Sequence, residues 1–407
     1  DETSRLRRER GWTHWHHLFA PRQILIAAIT REEINKLPEK DQAPMMLSLA
    51  KMLDWSSKLC RYGTGAARES ITQTFYNQAY NTNFFYGVRS FFTGQNYLYL
   101  TKSHHPVQSK AEVQNIPASQ VTTECDLWVT DPPYADAVSY HEISEFFIAW
   151  LRKGMPEPFD SWAKDSKRSI AIKGSDDDFR RGMVQAYKAM RDHMPDNGLQ
   201  RVMFTHQDTG VWSDMVGIFW AAGLQVVGAW YIATETSSEL KKGGYVQGTV
   251  ILMLRKRPEG DRKGFTRRIY PAVHKEVENQ IEEMLHLNQR VEDHTGEPVF
   301  NDADLQMAGY AAALKVLTSY TEIGGEDVTT FALRPRQRGE KTVVDDIVQQ
   351  ASETANSLLV PDGLKRDTWQ SINGIQRFYL RLLDIETTGA SKLDNYQNFA
   401  KAFRVED

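Results

Sequence analysis

Between residues 125 and 257 the sequence alternates short runs of β-forming apolar residues with longer stretches of helical period. This alternation is typical of an open α/β sheet covered by helices, and it restricts the fold more than any other feature. The last two apolar runs have no helix between them, so we expect an antiparallel hairpin at a sheet edge. The predicted strands are 127–130, 201–205, 224–234 and 248–255, and the predicted helices are 139–153, 177–193 and 211–222.

The helix predicted after the first strand has clear signals at both ends. Ser139 and Glu142 form a capping-box pattern, and Lys153 with Gly154 marks the helix end. Its apolar residues recur at the spacing of one helix face. These residues are Ile143, Phe146, Phe147, Trp150 and Leu151.

The regions on either side lack the strand pattern and have helical period. Residues 24–59 are predicted to be helical, with breaks at Pro38 and Pro44. After residue 257 we expect helices at 270–294, 302–320, 341–358 and 367–383. The predicted organisation is a mainly helical N-terminal region (1–124), an α/β domain (125–257) and a helical C-terminal domain (258–407).

The composition excludes several classes of protein. The 407 residues are 41% hydrophobic, which is enough for a folded core, and the formal net charge of −4 excludes a uniformly basic nucleic-acid coat. Two cysteines, Cys60 and Cys125, cannot build a disulfide framework. Neither a membrane-spanning run nor a signal peptide is recognisable, so we expect a cytoplasmic protein with no membrane contact.

The tetrapeptide Asp131-Pro132-Pro133-Tyr134 directly follows the first predicted strand. Ligand sites of open α/β sheets lie at the carboxyl ends of strands, which makes this segment the main candidate for chemistry. The alternative is a plain strand-ending turn, because Asp and Pro are common turn residues. We favour the functional interpretation because a strand precedes the motif and a capped helix follows it.

The four residues suit methyl transfer to an exocyclic amine of an aromatic base. Such an amine is a poor nucleophile, and two acceptors for its hydrogens help to localise the lone pair on nitrogen. The Asp131 carboxylate and the Pro132 carbonyl are the candidate acceptors, and Pro133 stiffens the corner. Tyr134 offers a face for stacking an extruded base, worth about 1–3 kcal/mol. The methyl donor would be a sulfonium aligned with the nitrogen.

With these residues the chain resembles the S-adenosylmethionine-dependent, adenine-specific DNA methyltransferases, in particular the large methylases of phage-defence islands. Phe19-Ala20-Pro21-Arg22-Gln23 is similar to the segment that packs against the cofactor in such enzymes. Further segments that carry the resemblance are 57–61, 73–78, 131–153, 204–207 and 339–341.

The resemblance implies a Rossmann-like methyltransferase sheet, S-adenosylmethionine as cofactor, and DNA as substrate. It also implies cofactor contacts from Phe19 and Pro21 and an association with other defence-system proteins. The expected activity is methylation of adenine in DNA, as the modification component of a phage-defence or restriction-type system. Asp131, Pro132, Pro133 and Tyr134 are the expected catalytic residues.

One feature of that family is not found. Its Gly-rich cofactor loop has only weak candidates here, Tyr62-Gly63-Thr64-Gly65 and Ile323-Gly324-Gly325. The simplest explanation is that this chain forms part of the sheet and that a preceding segment supplies the loop and the first strands. The missing loop also favours a rival function, a non-catalytic DNA-binding or scaffold subunit with a methyltransferase shape. A nearer rival is the same chemistry on the cytosine amine or on RNA.

Three further groups of residues have two interpretations each. His14, His16 and His17 are crowded together, but no Cys or carboxylate lies at ligand spacing, so we predict no metal site. His206 ends a predicted strand and is either a structural histidine or part of a pocket. A basic stretch either contacts phosphates or forms a solvated linker. It contains Arg255, Lys256, Arg257, Arg262, Lys263, Arg267 and Arg268.

Overall fold

The computed structural model is a mixed α/β protein that divides into two compact units. Unit 1 contains residues 1–115 and 139–171, and unit 2 contains residues 116–138 and 172–407. This grouping differs from the three predicted ranges, which remain a prediction. The structure describes residues 2–60, 72–75, 109, 111–133, 140–162, 164–166, 171–172, 177–206, 208–233, 248–295, 300, 302–331, 333–335, 340–361 and 363–387.

Unit 2 is built on a mixed sheet, of which the described residues form four strands in the order β1-β2-β4-β3. β1 and β2 are parallel, whereas β4 is antiparallel to both β2 and β3. The predicted antiparallel hairpin is confirmed by the pairing of β3 with β4, and of these two strands β3 lies at an edge of the described sheet whereas β4 does not. The strands are β1 (Leu127–Thr130), β2 (Leu199–Phe204), β3 (Leu224–Ala233) and β4 (Gly248–Lys256).

The alternation along β2 shows why these residues form a strand. Gln200, Val202 and Phe204 are buried, whereas Arg201 between the first two is exposed, because successive side chains point to opposite faces. The buried face packs into one hydrophobic cluster with α5 (Asp177–Asp192) and α6 (Thr209–Ala221). Both helices were predicted from their apolar period within one or two residues of these bounds.

The rest of unit 2 is mainly helical, and most of it joins the same core, whereas Trp369 and Phe378 near the end of the described chain form a small separate cluster. A small second sheet has the order β5-β6-β7. The helices are α7 (Thr266–Thr295), α8 (Asp302–Leu317), α9 (Val328–Phe331), α10 (Val343–Leu358), α11 (Arg366–Ser371) and α12 (Gly374–Thr387), and the short strands are β5 (Lys263–Gly264), β6 (Glu322–Ile323) and β7 (Glu326–Asp327).

Two predictions for this region need correction. The single helix expected at 367–383 is two helices, because Ile372 adopts an extended backbone between them. The helix expected from Tyr270 begins earlier, at Thr266, and includes Pro271. Pro271 is the sixth residue of this helix and therefore removes one intrahelical hydrogen bond, the one that an N–H at this position would donate to the Arg267 carbonyl.

Unit 1 is helical and packs around aromatic side chains. Phe146 is fully buried and contacts the rings of Trp15, Phe19, Phe75 and Phe147. The helices are α1 (Glu2–Arg10), α2 (Pro21–Asn35), α3 (Glu39–Asp54) and α4 (Tyr140–Leu151).

The predicted helix breaks in unit 1 are half right. The chain does leave the helix before Pro38, but the predicted break at Pro44 is wrong, since Pro44 lies inside α3. Pro44 is near the start of that helix, so its missing N–H costs only one early backbone hydrogen bond. Among the described residues, no helix is both long and apolar enough to cross a membrane.

Candidate functional site

The segment Asp131–Pro133 begins directly where β1 ends. Asp131 is exposed, and Pro132 and Pro133 are half-buried, so the segment is not packed into the core. β1 stops here because proline has no N–H to donate to a neighbouring strand. Thr130 pairs with Val202 of the parallel strand β2, which places Asp131 at the carboxyl edge of the sheet.

A buried tyrosine of α5 supports the end of β1. The Tyr187 hydroxyl lies 3.3 Å from Thr130 Oγ1, which also donates to the Arg201 carbonyl at 3.4 Å. Burial, together with the charge of Asp131, raises the pKa of Tyr187 well above its usual value. Tyr187 therefore stays protonated beneath the candidate site. Sequence reasoning missed its role, because its spacing in α5 is that of any core residue.

The parallel neighbour β2 also ends at this edge with polar residues. Thr205 Oγ1 donates to the Gly248 carbonyl at 3.0 Å. His206 Nδ1 accepts from the Asp208 backbone N–H at 3.0 Å, and the His206 carbonyl accepts from Trp212 Nε1 at 2.6 Å. A neutral His206 ring therefore carries its proton on Nε2. These bonds fix His206 structurally while it remains half-buried at the same edge as Asp131.

Asp208 caps the helix that follows β2. Its Oδ1 accepts from the backbone N–H of Gly210 at 2.7 Å, as expected for an N-cap of α6. Burial and the nearby Asp208 raise the pKa of Tyr310 to about 12. The carboxyl edge of the sheet thus carries the carboxylates of Asp131 and Asp208, each after one of the two parallel strands.

The two residues expected to contact the cofactor, Phe19 and Pro21, lie in unit 1, whereas Asp131–Pro133 lie in unit 2. The Phe19 ring is 2% exposed and stacks on Phe146 with ring centroids 5.9 Å apart. Pro21 is the exposed first residue of α2, a position that suits proline. In the described structure, Phe19 therefore stabilises an aromatic core and Pro21 begins a helix.

Some predicted features lie outside the described residues. These are Tyr134, the capping residue Ser139 and the candidate Gly-rich loop at 62–65. The second loop candidate, Gly324–Gly325, forms the turn between β6 and β7, with φ values of +60° and +90°. Two successive positive φ angles are typical of a tight hairpin turn, and they explain both glycines without a ligand.

The histidine cluster of unit 1 is compact. The rings of His16 and His17 lie 4.3 Å apart, and His17 Nδ1 accepts from the Thr13 backbone N–H at 3.2 Å. Partial desolvation, the neighbouring rings of His16 and His14, and Lys58 lower the pKa of His17. Across the described ranges, no group of three or more His, Cys, Asp or Glu side chains is arranged to hold a metal ion.

Comparisons with protein-family models, with curated proteins and with solved structures find no match to this chain.

Proposed function

We propose that this chain takes part in methylation of the exocyclic amine of adenine in DNA, with S-adenosylmethionine as methyl donor. The biological setting would be a phage-defence or restriction-type system with further protein partners. One observation carries the proposal: an exposed Asp131 followed by two prolines lies at the carboxyl end of β1, beside a second parallel strand. That edge is where open α/β sheets bind ligands.

The segment can bind and orient an amine. The Asp131 carboxylate accepts one amine hydrogen and the Pro132 carbonyl accepts the other, which concentrates the nitrogen lone pair for attack. Asp131 and Pro132 each precede a proline, so the backbone of both residues is restricted to extended conformations. The acceptors are thus positioned before the substrate binds, which reduces the reorganisation needed in the transition state.

Exposed apolar side chains support a sheet that is only partly formed by the described residues. Parallel strands are usually covered on both faces, yet Leu127 and Val129 of β1 are 43% and 58% exposed. A Rossmann-like sheet completed by chain beyond the described residues would cover them. The parallel pair β1–β2, with α5 in the connection between the strands, fits such a sheet.

The described residues fit the amine better than they fit the cofactor. Phe19 is enclosed by other aromatic rings, and Gly324–Gly325 forms a hairpin turn, so neither provides a cradle for S-adenosylmethionine. We therefore assign cofactor binding to residues beyond the described ones. The proposed role of Asp131–Pro133 is confined to holding the amine.

The test is an Asp131→Ala variant assayed for transfer of a labelled methyl group to DNA. We expect methyl incorporation to fall at least about 100-fold, because one of the two acceptors is lost. The free energy of unfolding, measured by urea denaturation, should stay within about 0.5 kcal/mol of the parent, since Asp131 is exposed. Unchanged methyl incorporation in the variant would refute the role of Asp131.

Asp126→Ala is the matched control, since Asp126 is exposed and precedes β1 at its opposite end. This variant should keep the parent's activity.

A comparison of substrates separates adenine methylation from the nearer rivals. The substrates are DNA and RNA strands in which either adenine or cytosine is the one base with an exocyclic amine available for methylation. Calorimetry with S-adenosylmethionine separates an enzyme from a scaffold, because absence of binding by the full-length protein at millimolar cofactor would favour the scaffold.

A further inference from the structure

A dense group of basic side chains surrounds the start of α7. Residues 255–268 contain seven basic and two acidic residues, a net charge of +5 in a chain whose formal net charge is −4. Five of the seven basic side chains are exposed, and four of these lie within three residues of the exposed Phe265. We call this set the α7 surface: Arg262, Lys263, Phe265, Arg267 and Arg268.

The α7 surface is held by folded elements and is not a solvated linker. Gly264 belongs to β5 and is buried, and Ile269 in the first turn of α7 is fully buried. The Arg262 backbone N–H donates to Thr321 Oγ1 at 2.8 Å, and the Arg262 guanidinium lies 5.0 Å from the centre of the Tyr320 ring. The positive charges therefore occupy defined positions on the protein.

A surface cavity of about 590 Å³ opens among these side chains. Lys263, Phe265 and Arg267 line it together with the glycine turn Gly324–Gly325, which adds no side chains to fill the space. The one acidic residue of the lining, Glu322, is paired with Lys263 at 2.9 Å. Phe265 is 57% exposed, and the Arg267 guanidinium lies 6.0 Å from its ring centre.

The basic stretch that leads to the α7 surface starts at the edge of the sheet opposite Asp131. Leu254 of β4 pairs with Gln200 at the start of β2, so Arg255 and Lys256 lie at the amino ends of the parallel strands. Asp131 lies at their carboxyl ends. The six residues of β2 separate the two edges by about 20 Å. The basic segment is therefore not part of the candidate amine site.

We propose that the α7 surface is a second nucleic-acid contact, which binds the phosphate backbone of a strand and stacks one unpaired base on Phe265. Arginine guanidinium groups match phosphate oxygens in a two-pronged geometry, and exposed aromatic rings beside cations are typical of single-strand binding. The choice of DNA as the partner rests on the proposed function, but binding at this surface does not require methyl transfer.

The test measures binding of fluorescent 20-nucleotide single-stranded and duplex DNA by anisotropy between 50 and 200 mM salt. The double variant Arg267→Glu/Arg268→Glu should lose at least about tenfold in affinity, and its log–log salt slope should fall by about two. Phe265→Ala should weaken binding of the single strand and leave duplex binding unchanged, since only unpaired bases expose a face for stacking.

Lys40→Glu/Lys188→Glu is the matched control, because it makes the same charge change at exposed helical positions that do not belong to the α7 surface. Equal affinities in the two double variants would overturn the proposal. A second result would overturn the proposal in favour of an anionic membrane. In that case the parent would bind phosphatidylserine vesicles but no DNA, and the Arg267/Arg268 variant would lose the binding to vesicles. Asp126→Ala, which lies outside both proposed sites, should bind like the parent. The two proposals can fail separately. If the parent transfers no methyl group but the Arg267/Arg268 variant still loses DNA affinity, the proposed function is refuted and the α7 surface is not.

Discussion

At the scale of single residues, the end of α3 shows how burial controls protonation. Asp54 Oδ1 accepts from the Thr74 backbone N–H at 3.1 Å, and the Asp54 carbonyl accepts from Thr74 Oγ1 at 2.6 Å. Burial raises the pKa of Asp54 despite these donors, and burial also raises the pKa of the neighbouring Cys60 thiol. Cys60 is therefore a protonated core residue and not a nucleophile.

Asp54→Asn should stabilise the protein at neutral pH. A folded-state pKa above the unfolded value of 3.8 means that stability is lost as the pH rises through the folded pKa, because the charged form is poorly solvated. Asn removes that charge and keeps an acceptor for the Thr74 N–H. Urea unfolding at pH 7 should give a higher midpoint than the parent, and the difference should shrink as the pH falls towards about 4.

The exposed Asp41 of the same helix provides the control. Asp41→Asn removes the same charge without relieving any burial, so it should not raise the midpoint. A lower midpoint for Asp54→Asn at pH 7 would show that the Asp54 carboxylate is better stabilised than its burial implies.

At the scale of elements, local sequence signals succeeded where one face is apolar and the ends carry capping or turn residues. β1, α5, α6 and the β3–β4 hairpin were all predicted close to their observed bounds. Errors arose at prolines and at helix ends, because one proline removes only one backbone hydrogen bond and packing decides whether the helix continues.

The capping box at the start of α10 is a testable case of such a local signal. Thr342 Oγ1 lies 3.3 Å from the Asp345 backbone N–H, and Asp345 Oδ2 accepts from the Thr342 N–H at 2.7 Å. Thr342→Ala should cost about 1 kcal/mol of unfolding free energy, measured by urea denaturation. Lys365 is the N-cap of α11 without a side-chain cap, so Lys365→Ala should change stability by less than about 0.5 kcal/mol. Equal effects would contradict the capping role.

At the scale of the whole molecule, chain order and spatial grouping differ. β1 belongs to unit 2, yet α4, which follows it in the sequence, belongs to unit 1. The sequence pattern of strand, tight loop and helix suggested that β1 and α4 would share one core. The apolar face of α4 instead packs on aromatic residues near the N-terminus, such as Trp15 and Phe19. Periodicity predicts a buried face but does not identify its partner.

Two compact units should unfold in two transitions. Leu49 of α3 and Leu252 of β4 are buried in different units, with exposures of 1% and 0%. Each Leu→Ala change should cost about 2–5 kcal/mol, because a cavity remains at the site. In scanning calorimetry, Leu49→Ala should lower only the transition of unit 1 and Leu252→Ala only that of unit 2. A single transition that both variants shift equally would show that the units unfold as one.

The sequence by itself determined the α/β class, most strands and helices, and the position of Asp131–Pro133 at a strand end, because these depend on short-range periodicity and on the geometry of proline. The tertiary structure alone decided that Tyr187 supports that strand end, that Phe19 is enclosed in an aromatic core, and that the basic stretch 255–268 starts at the opposite edge of the sheet from Asp131. These facts depend on contacts between residues far apart in the chain, which no local pattern encodes.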